Sequence, residues 1–269
     1  MTGRARVVIA AALVAAIAGC TPKAEPVAPP AERLRFTRQH ATKTYGDCTG
    51  GSDKCTRISL RWPQVAAAPT VAARESITAF VRGTLNRPYD GGAPFSSEDS
   101  VMTEFITGYR EFASRFPDGP ATGWTFERRI EPLGDTLGVA GIAVTEQSYL
   151  GGAHPNSTTL FTNFDLATGR SVRLEDLFRA GARDSLDALG ERAFRRVRKL
   201  PEAADLAAAG FQFEGGRFRL NDNVAVTPTG LLCFFNDYEV GPHTLGATQF
   251  SLPWADVMPF ARPDGPLQR

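Results

Sequence analysis

The sequence predicts an α+β fold, with mixed or antiparallel sheets and three main helices. Helical periodicity is confined to three stretches, near 70–85, 97–116 and 184–200. Strand-like segments gather in blocks, chiefly 124–166 and 217–252, instead of alternating one for one with helices. The 26 glycines and 19 prolines supply the turns such a fold needs, and 18 phenylalanines supply bulk for its core.

The folded region is expected to begin near Arg35. Ile58, Leu60 and Trp62 alternate with Ser59 and Arg61, a half-buried strand that Pro63 is expected to end. A helix follows from about Thr70 to Leu85, with Ile77, Phe80, Val81 and Leu85 on one side. After the turn-rich Asn86–Pro94, Ser97 is placed to cap a second helix that runs to Phe116. Val101, Phe105, Tyr109, Phe112 and Phe116 form its apolar stripe. Strands are expected around Trp124, Phe126 and Ile130, then at Leu137–Tyr149 and Thr158–Asp165. Pro132-Leu133-Gly134-Asp135 reads as the turn between the first two. Asp165–Gly169 reads as a further turn, leading into Val172-Arg173-Leu174. A third helix over Asp184–Leu200 turns Leu186, Leu189, Ala193, Val197 and Leu200 inward. Its basic end (Arg192, Arg195, Arg196, Arg198, Lys199) complements the helix dipole as a solvated face. Strands at Arg217–Leu220, Asn223–Thr227, Leu231–Val240 and Thr248–Leu252 and a short helix at Pro253–Phe260 complete the reading.

The N-terminus reads as an export segment. Arg4 and Arg6 precede the apolar run Val7–Ala18, which is too short to span a bilayer as a retained helix. Ile17-Ala18-Gly19-Cys20 resembles a bacterial lipobox, so residues 1–19 are expected to be removed and Cys20 lipidated. Residues 20–34, with Pro22, Pro26, Pro29 and Pro30, form a Pro-rich tether. At about 3.1 Å per residue its Thr21–Glu32 stretch reaches roughly 35–40 Å. This implies an extracytoplasmic protein held to the membrane through Cys20, at the periplasmic side of the outer membrane if the source is Gram-negative. Loss of Arg4 and Arg6 leaves 28 basic against 29 acidic residues, a net charge of −1 over 250 residues. That balance argues against nucleic acid as a partner. Of the remaining cysteines, Cys48 and Cys55 flank turn chemistry and are expected to pair as a disulfide across a hairpin tip. A loop of this size contributes about 2.5 kcal/mol in the chain-entropy view. Cys233, within Leu231–Phe235, is expected to be a buried, inert thiol.

Five segments in order carry a family resemblance. They are Ile58–Val65, ending in Trp62-Pro63-Gln64; Ser148-Tyr149-Leu150-Gly151-Gly152-Ala153-His154-Pro155-Asn156; Asn163–Arg170 with Leu174–Phe178; Asn223–Leu232; and Tyr238-Glu239-Val240-Gly241-Pro242-His243. Together they resemble the paired DUF4163 (PdaC-type) and DUF3298 domains of RsiV-like envelope proteins. The resemblance places the first domain at 35–155, the second at 156–262 and a tail at 263–269. It implies two sub-domains packed as one α+β unit with a binding role outside the cytoplasm. In RsiV-type proteins this region captures lysozyme, and PdaC-type proteins join the first domain to a separate deacetylase domain. The chain shows neither a sigma-factor-binding segment nor a deacetylase domain, so neither activity is expected. His243 stands where the family often has Tyr.

Gly151 and Gly152 permit positive φ or close approach, and His154 can donate or accept toward a sugar hydroxyl or peptide carbonyl. The same residues also suit a tight bend between long strands. Tyr149, Gly151, Gly152, His154 and Asn156 are the candidate binding residues on one side. Tyr238, Glu239, Pro242 and His243 are the candidates for a facing wall. No catalytic residues, metal ligands or cofactors are assigned. The three histidines (His40, His154, His243) lack metal-site spacing, and no nucleophile elbow, P-loop or dinucleotide motif occurs. The expected function is a lipid-anchored binding module for peptidoglycan fragments or a wall-degrading protein such as lysozyme, without turnover. The alternatives are a wall hydrolase using His154 and a nearby carboxylate, and a structural envelope lipoprotein.

Overall fold

The computed structural model describes residues 32–117 and 122–268. The expectations for the signal segment, Cys20 and most of the tether lie outside these residues. Glu32–Arg269 form one compact unit, and its architecture is α+β. A six-stranded sheet has strands in chain order: β1 (Arg35–Tyr45), β2 (Thr56–Ala67), β3 (Thr125–Thr136), β4 (Val139–Tyr149), β5 (Asn156–Asp165) and β6 (Ser171–Val172). β2 and β3 pair in parallel, and every other neighbouring pair is antiparallel. The parallel step requires a crossover, which is supplied by α1 (Val71–Leu85) and α2 (Glu98–Arg115).

Both helices begin where local chemistry dictates. The Thr70 hydroxyl accepts from the Ala73 N–H, and the Ser97 hydroxyl accepts from the Ser100 N–H. Their apolar faces bury Ile77, Val81, Val101 and Phe105 against Ile58, Leu60, Phe126, Ile130 and Ile142 of the sheet. The α2 stripe frays at its end, where Phe116 is 53% exposed. Beneath the helices Arg128 is fully buried. It donates to Glu146 (2.7 Å) and to the carbonyls of Leu85 and Arg87, which fastens the end of α1 to the sheet. Burial pulls the Glu146 carboxyl up, but Arg128 and Arg87 outweigh it and hold the group below its ordinary value.

A second sheet, β7 (Val224–Thr227), β8 (Gly230–Phe235) and β9 (Thr248–Pro253), is antiparallel throughout. α4 (Arg183–Arg198) packs on it, while α3 (Leu174–Leu177) and α5 (Trp254–Val257) are single turns. Phe194 is the centre of this core, ringed by Phe211, Phe213, Phe218, Phe235 and Phe250. Cys233 lies in it as a free thiol whose pKa burial pushes up. β7 lies against the outer face of the first sheet. Gly141 is needed there, because a Cβ would stand 2.3 Å from the Val226 carbonyl oxygen.

Several local expectations are corrected. Pro63 does not end β2. The β3 ladder stops at Arg61, so the missing N–H removes no bond on that flank. Pro132–Asp135 is a register shift inside β3, and the chain reverses instead at Leu137 (φ 51°) and Gly138 (φ 74°), between paired Thr136 and Val139. Arg217–Leu220 is not a strand, since the Leu220 N–H is taken by the Asp187 carboxylate. β8 ends at Phe235, where a turn begins. Val197 faces outward, 46% exposed, and Phe194 fills the core instead, beside the expected Ala193. Arg198 is not part of a solvated face, because it donates to the carbonyls of Leu245, Gly246 and Ala247. Beyond these expectations, β5 after Pro155 pairs with β4 in the first sheet, and Leu267 is buried in the second core.

The Cys48–Cys55 disulfide closes the β1–β2 hairpin tip as expected.

Candidate binding site

The turn between β4 and β5 and the connection between β8 and β9 meet at one end of the molecule. His154 on the first and His243 on the second stack with ring centroids 4.4 Å apart and planes 13° from parallel. Tyr238 stacks on His243 at 5.2 Å and 18°. Its hydroxyl lies 3.3 Å from His154 Nε2, while His154 Nδ1 lies 3.1 Å from the Pro155 carbonyl. A carbonyl only accepts, so these partners assign the proton to Nδ1 and leave Nε2 to accept from the tyrosine hydroxyl. Three residues from two distant segments thus form one aromatic ladder.

Local chemistry holds each segment. Gly151 adopts φ 82°, and a Cβ there would meet the Trp124 indole nitrogen. Gly152 is exposed and meets nothing, and the sequence gives it no further role. Tyr149 closes β4 opposite Thr125, and Asn156 opens β5 opposite Ser148. In the other segment Tyr238 takes the left-handed conformation (φ 66°) and is 60% exposed. Such a conformation in a bulky residue costs about 1–2 kcal/mol and marks a position kept for something other than packing. Glu239 braces the turn. Its two oxygens accept from the Asn221 amide and from the Asn236 N–H, which fixes the turn under Tyr238. Pro242 opens the short 3-10 turn that presents His243.

Asp237 escaped the sequence reading. Its carboxylate lies 3.6 Å from His243 Nδ1, a buried nitrogen that lacks a hydrogen bond. A set of asparagines was missed as well. The Asn236 amide pairs with both the N–H and the carbonyl of Thr159. Asn223 accepts from the Phe161 N–H and donates to the Thr159 carbonyl. These amides occupy the free edge of β5 as a strand would, and they hold the Tyr238 turn to the sheet. Periodicity carries no signal for them.

Topology orients the site. β1 enters at Arg35, paired with Ala67, whereas the β4–β5 turn lies with Tyr45 and Thr56 at the opposite end of the strands. Among the described residues no group of three or more His, Cys, Asp or Glu is placed to hold a metal ion. Among them also, no helix is long and apolar enough to cross a membrane.

Comparison with curated proteins finds no match. Solved structures share the fold, two of them as follows. A DUF3298 family member from Bacteroides fragilis is 15% identical, with 86% of this chain and 95% of that chain covered at a TM-score of 0.66. A DUF3298 family protein from Pseudomonas aeruginosa PAO1 is 17% identical over the same shares, at a TM-score of 0.61. Residues 175–255, from α3 to α5, match the family described as "Protein of unknown function (DUF3298)", so the second sheet, α4 and the Tyr238–His243 segment lie within a DUF3298 domain.

Proposed function

We propose that this protein is a lipid-anchored, extracytoplasmic binding module that recognises peptidoglycan fragments without turning them over. The reading keeps the DUF4163 and RsiV-like resemblance of the N-terminal half and the lipidation of Cys20 as parts of the proposal. The observation that carries it is the ladder of His154, His243 and Tyr238, assembled from two segments on an exposed edge. Flat rings at a surface are suited to stack against the apolar face of a sugar ring, with hydroxyl and imidazole groups beside them to bond its hydroxyls. The position of that ladder, at the far end of the strands from Arg35, suits a module that reaches away from its anchor.

The chemistry at His154 favours binding over hydrolysis. Its two nitrogens face a carbonyl and a phenol, and among the described residues no carboxylate lies within ion-pair distance of it. A general base of the Ser-His-Asp kind needs both an orienting acid and a nucleophile in reach.

Retention of the unit Glu32–Arg269 on purified sacculi tests the proposal. His154→Ala is expected to weaken retention about tenfold, equivalent to 1.4 kcal/mol, with an unchanged melting temperature. Retention equal to the parent removes the ladder from the case. Capture of lysozyme without retention on sacculi would reassign the partner to a wall-degrading protein, and release of soluble muropeptides would make it an enzyme.

A further inference from the structure

The outer face of the six-stranded sheet is only partly covered. β7 lies over its upper half, where Asn163 and Gly141 meet the β7 backbone. Toward the other end, the outward residues of β2, β3, β4 and β5 face a cleft of about 460 Å³. The outward side chains offered there are Arg57, Ser59 and Arg61 from β2, Glu127 from β3, Gln147 from β4 and Ser157 from β5, with Ser59, Glu127, Gln147 and Ser157 in register across the sheet. Pro155, whose carbonyl lies 3.1 Å from His154 Nδ1, is part of the same wall.

We infer that this cleft binds a carboxylate-bearing oligosaccharide, with Arg57 taking the carboxylate. The inference rests on the wall-binding proposal for its ligand class and goes beyond it in naming the surface and the charged group recognised. Two features of the lining carry it. The first is its chemistry: the hydroxyls of Ser59 and Ser157 and the amide of Gln147 form a row of donors and acceptors matched to sugar hydroxyls, while Phe126, the one large apolar residue of the lining, is 3% exposed and packs in the core on the opposite face. The second is its charge. Arg61 lies 3.1 Å from Glu127, which neutralises the one acid in the cleft. Arg57 has no carboxylate partner among the described residues, and its only polar side-chain contact is a weak one to the Cys55 sulfur. An unengaged guanidinium beside a row of hydroxyls suits a carboxylate, which it can meet with two parallel hydrogen bonds. Its backbone is fixed at both flanks, by pairing with Thr44 and Thr125, and the neighbouring disulfide holds the hairpin tip.

Calorimetric titration of Glu32–Arg269 tests this with two probes of equal length. One is a tetrasaccharide of alternating N-acetylglucosamine and N-acetylmuramic acid, and the other is chitotetraose, which lacks the lactyl carboxylate. The acidic sugar is expected to bind about tenfold more tightly, with the advantage shrinking as salt is raised. Arg57→Gln should abolish that advantage, so that the two sugars bind the variant with equal affinity. Ser157→Trp, which fills the cleft from an exposed position, should weaken both sugars. Equal affinity for the two sugars, or an acidic preference that survives Arg57→Gln, overturns the assignment. Retention on sacculi that survives both substitutions overturns the cleft while leaving wall binding intact, and loss of all sacculus retention in the parent overturns both.

Discussion

Asn163 meets the backbone of Val226 as a neighbouring strand would: the Val226 N–H donates to its amide oxygen at 2.7 Å, and its NH₂ donates to the Val224 carbonyl at 2.8 Å. One side chain of β5 thereby joins the two sheets where Gly141 lets them touch. Asn163→Leu keeps the branched shape of the side chain but strands a buried donor and a buried acceptor. It is expected to cost about 3 kcal/mol, measured by urea denaturation, with an unchanged slope if the unfolding remains two-state.

The Arg128–Glu146 pair gives the protein an acid-sensitive element. Because the folded carboxyl titrates below its ordinary 4.5, its contribution is complete above that value and is lost as pH falls through the lower folded value. Glu146→Gln leaves the buried guanidinium without its counter-charge and should cost roughly 2–3 kcal/mol at neutral pH. Thermal melts from pH 7 to pH 3 should show a shallower acid limb in the variant than in the parent. Parallel curves would place the acid sensitivity elsewhere.

Removing the Cys48–Cys55 bridge frees a short loop at the hairpin tip. Cys48→Ser with Cys55→Ser should lower stability by about 2.5 kcal/mol, seen as a shift of about 5–10 °C in melting temperature. Reductant should reproduce the shift in the parent and leave the double variant unmoved, because Cys233 is buried and free.

Tyr238 sets stability against recognition. Tyr238→Gly relieves the left-handed backbone and should hold or raise stability by about 1 kcal/mol, while the loss of its ring should weaken retention on sacculi about tenfold. A variant that is less stable than the parent would mean that the ring is a packing element.

What the sequence disclosed was set by short-range chemistry. Thr70 and Ser97 cap their helices, Asp165 opens its turn by accepting from the Ala167 N–H, and Cys48 finds Cys55, all within a few residues. Where a distant group intervened, the reading failed. Leu220 looks like strand but bonds the Asp187 side chain, and Pro132 looks like a turn but is accommodated by a register shift. Of the site, His154, Tyr238 and His243 were legible through resemblance, and the structure brings them together. Asp237, the asparagines along β5 and the polar cleft were not, because outward residues on a strand carry the same alternation whether they face water or a ligand.

The position of β1 has a mechanical consequence. Any tension delivered from residues ahead of Glu32 enters at Arg35 and runs along a ladder that pairs β1 with β2 from Arg35 to Tyr45. For cargo held, as proposed, at the other end of the strands, about 35 Å away at about 3.3 Å per residue, the load is a shear shared by the whole ladder, not a peel that breaks one bond at a time.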